Sequence, residues 1–175
     1  MYFERITDAH HPMYPAAMEL YQMSFPPHEQ REAPSQETIL CHPDYHFTLV
    51  LEDAQFVGLV LYWETPEFLY VEHFCILPEL RNRHYGQRTL ETLGALGKAI
   101  ILEIDPPTDS TCLRRKGFYE RCGFTANPYA HVHPPYHSGN HGHELVVMSC
   151  PEGIAPEAYA AFREYLECVV MRNVF

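Results

Sequence analysis

The chain has 175 residues, 46% of them apolar and 13% aromatic, enough for a single domain with its own core and too apolar for a disordered segment. A formal net charge of −11 at pH 7 argues against a general nucleic-acid binder, which would need a basic face, and is compatible with a cationic or amine substrate. No apolar run reaches the ~20 residues of a membrane span, and the start Met1-Tyr2-Phe3-Glu4-Arg5 lacks the parts of a signal peptide, so no membrane partner and a cytoplasmic location are expected.

In chain order, Phe3–Ile6 predicts a short first strand. A helix follows from about His11 to Phe25, with Ala17, Leu20 and Tyr21 at helical spacing, and Pro26-Pro27 stops it. A second short helix is predicted over Gln36–Cys41, with Ser35 as its cap. His46–Glu52 and Phe56–Glu64 are strand-like runs joined by a hairpin at Asp53-Ala54-Gln55, and Phe68–Leu77 is a third strand ended by Pro78. Gly86–Leu96 predicts a helix with Leu90, Leu93 and Leu96 on one face. Ala99–Ile104 is an almost continuous apolar run, as in a strand buried on both sides. The next helix takes its cap from Asp109, Ser110 or Thr111, its apolar side from Leu113, Phe118 and Cys122, and its stop from Gly123. Phe124 onward is extended, Glu144–Ser149 is a last strand, and Pro156 opens an amphipathic helix with Phe162, Leu166, Val169 and Val170 inward. Six cysteines without a Cys-x-x-Cys pair read as free thiols.

The segment with most chemistry is Arg81-Asn82-Arg83-His84-Tyr85-Gly86, between a strand and a helix. Backbone N–H groups at a helix start, with the helix dipole, make an anion site, and Arg81, Arg83 and Arg88 add charge to it. The segment alone reads equally well as a solvated basic turn. A dinucleotide site is disfavoured because Gly-x-Gly-x-x-Gly is absent.

The stretch Phe74-Cys75-Ile76-Leu77-Pro78-Glu79-Leu80-Arg81-Asn82-Arg83-His84-Tyr85-Gly86 resembles the acyl-coenzyme A motif of the GNAT N-acetyltransferase superfamily. Lys116-Gly117-Phe118-Tyr119-Glu120-Arg121-Cys122-Gly123-Phe124 resembles that superfamily's second signature. The likeness covers roughly Phe3 to Ser149. It implies an α/β (α+β) domain, with a mixed central sheet of about seven strands flanked by helices. The whole chain, 1–175, is then one domain with residues 156–172 as a C-terminal helical extension. It also implies transfer of an acetyl group from acetyl-CoA to a primary amine by direct attack on the thioester. The backbone of Phe74, Cys75 and Ile76 would hold the pantetheine arm. Arg81, Asn82, Arg83, His84, Tyr85, Gly86, Gln87 and Arg88 would hold the pyrophosphate, and Cys112 stands where the family often has an asparagine contact. His84 occupies the place of the first motif glycine. By the same resemblance Tyr119 protonates the departing thiolate. Glu72 is the favoured general base and His73 its alternative, since strand alternation sends the two to opposite faces unless a bulge intervenes.

His131, His133, His137, His141 and His143 lie within Pro- and Gly-rich sequence. Three readings compete there: an acceptor-shaping loop walled by Tyr129, Tyr136 and Pro134-Pro135, a metal site, or a plain surface loop. The first is favoured, and no metal ligand is expected. Phe25–Arg31 is a second acceptor-side candidate or a bare connection between helices. The C-terminal helix is expected to cover a sheet edge or to pair two copies as a homodimer. The resemblance implies a small-molecule or peptide amine as acceptor. A catalytically silent acyl-CoA-binding or sensing domain and a His-rich metal-binding protein are the alternatives.

Overall fold

The computed structural model describes residues 1–175. Its strands are β1 (Tyr2–Ile6), β2 (Tyr45–Glu52), β3 (Gln55–Glu64), β4 (Phe68–Ile76), β5 (Ala99–Ile104), β6 (Thr125–Ala126), β7 (His131–His133) and β8 (His143–Cys150). Its helices are α1 (Tyr14–Ser24), α2 (Ala33–Ile39), α3 (Tyr85–Gly94), α4 (Ser110–Arg121) and α5 (Pro156–Tyr165), the last running on into a π-helical turn at Leu166–Val170. The sheet runs β1-β2-β3-β4-β5-β8-β6, with β7 paired to β8. All pairings are antiparallel except β4–β5. It is the expected mixed α/β architecture, with eight strands.

Local chemistry accounts for the element ends. The β2–β3 hairpin turns through Asp53 and Ala54, both at positive φ (48° and 63°), the pairing that matches the twist of the flanking strands. Asp109 caps α4 by accepting from the Thr111 and Cys112 N–H groups at 2.6 and 2.9 Å, and Gly123 leaves the helix at φ +87°. Ser35 is not a cap. α2 starts at Ala33, and the Ser35 hydroxyl donates to the Asn173 carbonyl at 2.8 Å.

The sheet separates two apolar cores. On one face α1, α2 and α5 pack through Tyr21, Ile39 and Phe162 against Phe47, Trp63 and Tyr70. On the other, Leu90 and Leu93 of α3 and Tyr119 of α4 pack against Val60, Val71 and Leu102. Leu96 and Leu113, expected inward, are exposed, because Leu96 lies beyond the end of α3 and Leu113 is on the outer side of α4. The C-terminal helix is not an appendage over an edge. Phe162, Leu166 and Val170 are fully buried members of the first core, so one face of residues 156–172 is part of the domain's interior. The histidine-rich segment is not wholly loop either: His131–Val132–His133 pairs with β8, and period-two alternation buries both histidines on one side.

Candidate active site

β4 and β5 are hydrogen-bonded only from Phe68↔Ala99 to Val71↔Leu102. Beyond Val71 they part. β4 continues to Ile76, paired to β3 alone, so its other edge is free. A cleft of about 1330 Å³ opens in this gap and passes from the α3/α4 face toward the α1 face. A free strand edge presents N–H and C=O groups to an extended ligand as an added strand would.

The cleft's first end is the turn before α3. Asn82 and His84 both have φ of 61°, and no side chain caps the helix start, so the first N–H groups of α3 have no side-chain acceptor and with the helix dipole form an anion cradle. Arg81, Asn82, His84, Tyr85, Gly86 and Gln87 line the cleft, as do Phe74, Cys75 and Ile76. A Cβ at Gly86 would sit 3.1 Å from the Phe118 ring and 3.7 Å from that of Phe74. The absent side chain therefore lets α3 start tight against α4 and β4.

Three expected cofactor residues do not line the cleft. Arg88 donates to Glu52 at 2.7 Å, and that carboxylate also holds the N-terminal amine at 2.6 Å. Arg83 is exposed and points outside the lining. Cys112 spends its backbone N–H on the Asp109 cap, and its thiol is outside the lining as well.

Tyr119 is buried beneath the cleft between Phe118 and Phe124. Burial pushes its hydroxyl up to about 12, so it is an O–H donor throughout the neutral range.

The general-base pair is rearranged by a bulge. His73 faces Leu61 while Val71 faces Tyr62, leaving Glu72 as the extra residue. Glu72 and His73 therefore both turn toward the α1 face, against strict alternation. Glu72 is not free to act as a base. Its carboxylate accepts from Arg31 Nη2 at 2.9 Å, Trp63 Nε1 at 2.7 Å and the Tyr136 hydroxyl at 3.0 Å. Burial raises its pKa, but Arg31, His73 and the two hydrogen-bond donors outweigh that and hold it below the ordinary carboxylate value. A stabilised carboxylate of this kind is a weak proton acceptor.

His73 has the opposite character. Its Nε2 donates to the Glu29 carbonyl at 2.9 Å, which fixes the ring proton on Nε2 and leaves Nδ1 as a lone pair. That Nδ1 is buried without a protein partner. Desolvation lowers the ring's pKa despite the nearby Glu72. The ring is wedged between Tyr21 and Phe25, centroids 4.9 and 4.6 Å away, and lines the cleft.

The cleft's second end is walled by Phe25, Pro134, Pro135 and Tyr136, with His28, Glu29, His141 and His143 near its mouth. Of the expected aromatic wall, Tyr129 is absent, because it stacks on Tyr159 at 4.1 Å and donates to the Ile154 carbonyl. Behind the wall lies a buried polar network unforeseen in the sequence. Tyr70 donates to Glu103 at 2.5 Å, His131 binds the same carboxylate, and His133 stacks on Tyr136 at 5.0 Å. The repeat His131-x-His133 at strand spacing was the available signal.

The Acetyltransferase (GNAT) family model matches residues 11–124. A Bacteroides thetaiotaomicron protein assigned to the GNAT acetyltransferases is 34% identical, with 98% of each chain covered and a TM-score of 0.91. An aminoglycoside 6'-N-acetyltransferase solved with coenzyme A is 13% identical over 85% of this chain and 96% of its own, at a TM-score of 0.57. The ribosomal-protein-S18-alanine N-acetyltransferase of Escherichia coli is 17% identical over 89% and 96%, at 0.55; these last two share the fold. The search of curated proteins returned no match.

Proposed function

The chain belongs to the GNAT acetyltransferase family, and we propose that it transfers the acetyl group of acetyl-CoA to a primary amine, with His73 as general base and Tyr119 as general acid. The observation that carries this reading is the gap between β4 and β5, which joins a phosphate cradle at one end to His73 and an aromatic-walled pocket at the other. Coenzyme A is a bound component of the aminoglycoside acetyltransferase that shares this fold. The residues here suit it: a free β4 edge for the pantetheine amides and uncapped N–H groups of α3 for the pyrophosphate.

An acceptor amine near an ordinary pKa of about 10.4 arrives protonated and must lose a proton to become a nucleophile. His73 is neutral at neutral pH and takes that proton at Nδ1, directly or through a water, while its Nε2–H remains on Glu29. The backbone N–H groups of Phe74–Ile76 that point to the unpaired edge of β4, alternate ones along the strand, are the donors available to a developing oxyanion. The Tyr119 O–H gives its proton to the departing sulfur. Glu72 acts on the reaction only by positioning, through Arg31 and Tyr136.

The test is calorimetry with acetyl-CoA, followed by release of free CoA thiol with a panel of small-molecule and peptide amines. Tight binding with amine-dependent thiol release is expected. Tight binding with no acylated amine would replace this reading with a silent acyl-CoA-binding domain.

A further inference from the structure

At the acceptor-side mouth the turn Pro27–Glu29 meets the first residue of β8. His28, Glu29 and His143 each offer one ligand atom there, all within 4.8 Å of one another. The His28 and Glu29 atoms are 3.6 Å apart and the two imidazole rings 6.3 Å apart. Three ligands from two segments distant in sequence converge, two of them nitrogen and one oxygen.

We propose that His28, Glu29 and His143 form a site for a borderline divalent cation such as Zn²⁺ at the acceptor-side mouth of the cleft. Two imidazoles and one carboxylate form the His₂Glu set that Zn²⁺ takes with a fourth position open, and imidazole favours Zn²⁺ over Ca²⁺ or Mg²⁺. The His28 side chain is exposed and that of His143 partly so, so rotation of the two rings can bring ligand atoms already within 4.8 Å closer together. Neither Lys nor Arg forms an ion pair with Glu29; its one such partner is His28. His143 Nε2 is also 3.5 Å from Asp105 Oδ1, and Arg115 holds that carboxylate at 2.7 Å from its other oxygen. Asp105 can therefore orient the His143 ring, as outer-shell carboxylates do for metal-bound imidazoles. An ion here would stand across the acceptor's way in and leave the α3 cradle untouched.

The site is tested on the purified full chain without acetyl-CoA or acceptor, so its outcome is independent of the acetyl-transfer reading. Zn²⁺ is titrated against a chromophoric chelator, and Co²⁺ is used for its visible spectrum. One high-affinity Zn²⁺ per chain is expected. His28→Ala and His143→Ala should each weaken it by at least about 100-fold, beyond the effect of losing an outer-shell partner. His141→Ala, in the same cleft but outside the cluster, should leave it unchanged. Both ligand side chains are substantially exposed, at 60% and 41%, so the variants should fold. The Co²⁺ spectrum of the unaltered chain gives a second readout, and intense tetrahedral-type bands are expected. Zn²⁺ bound equally well by His28→Ala and His143→Ala, or no stoichiometric Zn²⁺ at all, overturns the proposal.

Discussion

Arg31 and Glu72, 41 positions apart, meet as an ion pair of 2.9 Å in which each side chain is 1% exposed. Arg31 also donates to the Val170 carbonyl at 2.8 Å, so one guanidinium joins the segment before α2, the bulge of β4 and the C-terminal turn. Removing one member of such a pair leaves the other charge buried and uncompensated. Glu72→Gln should therefore cost about 3–5 kcal/mol in urea unfolding. Because the Glu72 pKa is lowered on folding, its stabilisation is complete above the unfolded value of 4.5 and is lost as pH falls through the folded value. Glu72→Gln should flatten that acid limb of stability. If the variant instead unfolds like the parent, the pair is not what joins these elements.

His73 and Glu72 make opposite predictions for catalysis. With His73 as base, His73→Ala should lower kcat by roughly 10²–10⁴-fold, with the CoA dissociation constant little changed. The lowered imidazole pKa places the acid limb of kcat/KM below 6.5, and the limb should vanish in the variant. The stability sign is separate. Below 6.5 the unfolded chain takes up a proton that folded His73 resists, so stability should fall as pH drops from 6.5 toward the folded pKa. In Glu72→Gln, measured where it is still folded, the acid limb should persist. Its disappearance there would return the base role to Glu72.

Gly58 faces Ile76 across β3 and β4. A Cβ at this position would lie 2.3 Å from the Cys75 carbonyl oxygen and 3.1 Å from the Ile76 Cα. Both atoms are backbone of the β4 segment whose opposite edge faces the cleft, and neither can rotate aside. Gly58→Ala must push that strand, at a cost of about 1–3 kcal/mol as for other overpacked sites. It should also weaken CoA binding, although residue 58 itself is outside the cleft lining. Isothermal titration against CoA checks this. An unchanged affinity would mean that β4 accommodates the methyl without moving its free edge.

Most strands and helices were legible because their apolar periodicity is strong, as in Tyr14–Ser24 and Ala99–Ile104. The two segments around Arg81–Gly86 and Tyr119 stood out for the same reason: they are local, and both line the cleft. What escaped depends on contacts across the chain. No pattern in Phe68–Ile76 reveals that one residue is extra opposite Leu61 and Tyr62, and that bulge decides where Glu72 and His73 point. Arg31 ends a segment that reads as an acceptor-side candidate or a connection between helices, and nothing local places Glu72 and Val170 beside it. Arg88 looked like a phosphate ligand because the sequence does not say that Glu52 and the N-terminus are adjacent. Leu113 fitted a helical stripe, but Tyr119 with partly buried Phe118 fills the inner side of α4 instead.

His84 stands at the start of α3 with φ of 61° and ψ of 6° and makes no side-chain capping bond. A side chain in this left-handed region is strained by roughly 1–2 kcal/mol, and glycine there costs unfolded-chain entropy that offsets part of the relief. His84→Gly should thus stabilise the fold by about 1 kcal/mol or less, read as a small rise in Tm. The effect on CoA separates two roles for the ring. If His84 only occupies space beside the N–H cradle, the glycine variant should bind CoA at least as tightly as the parent. If the ring contacts a phosphate, affinity should fall, and the loss should shrink with added salt. We expect the first outcome, because the backbone N–H groups of the cradle are present with either residue and the cleft already has Arg81 for charge.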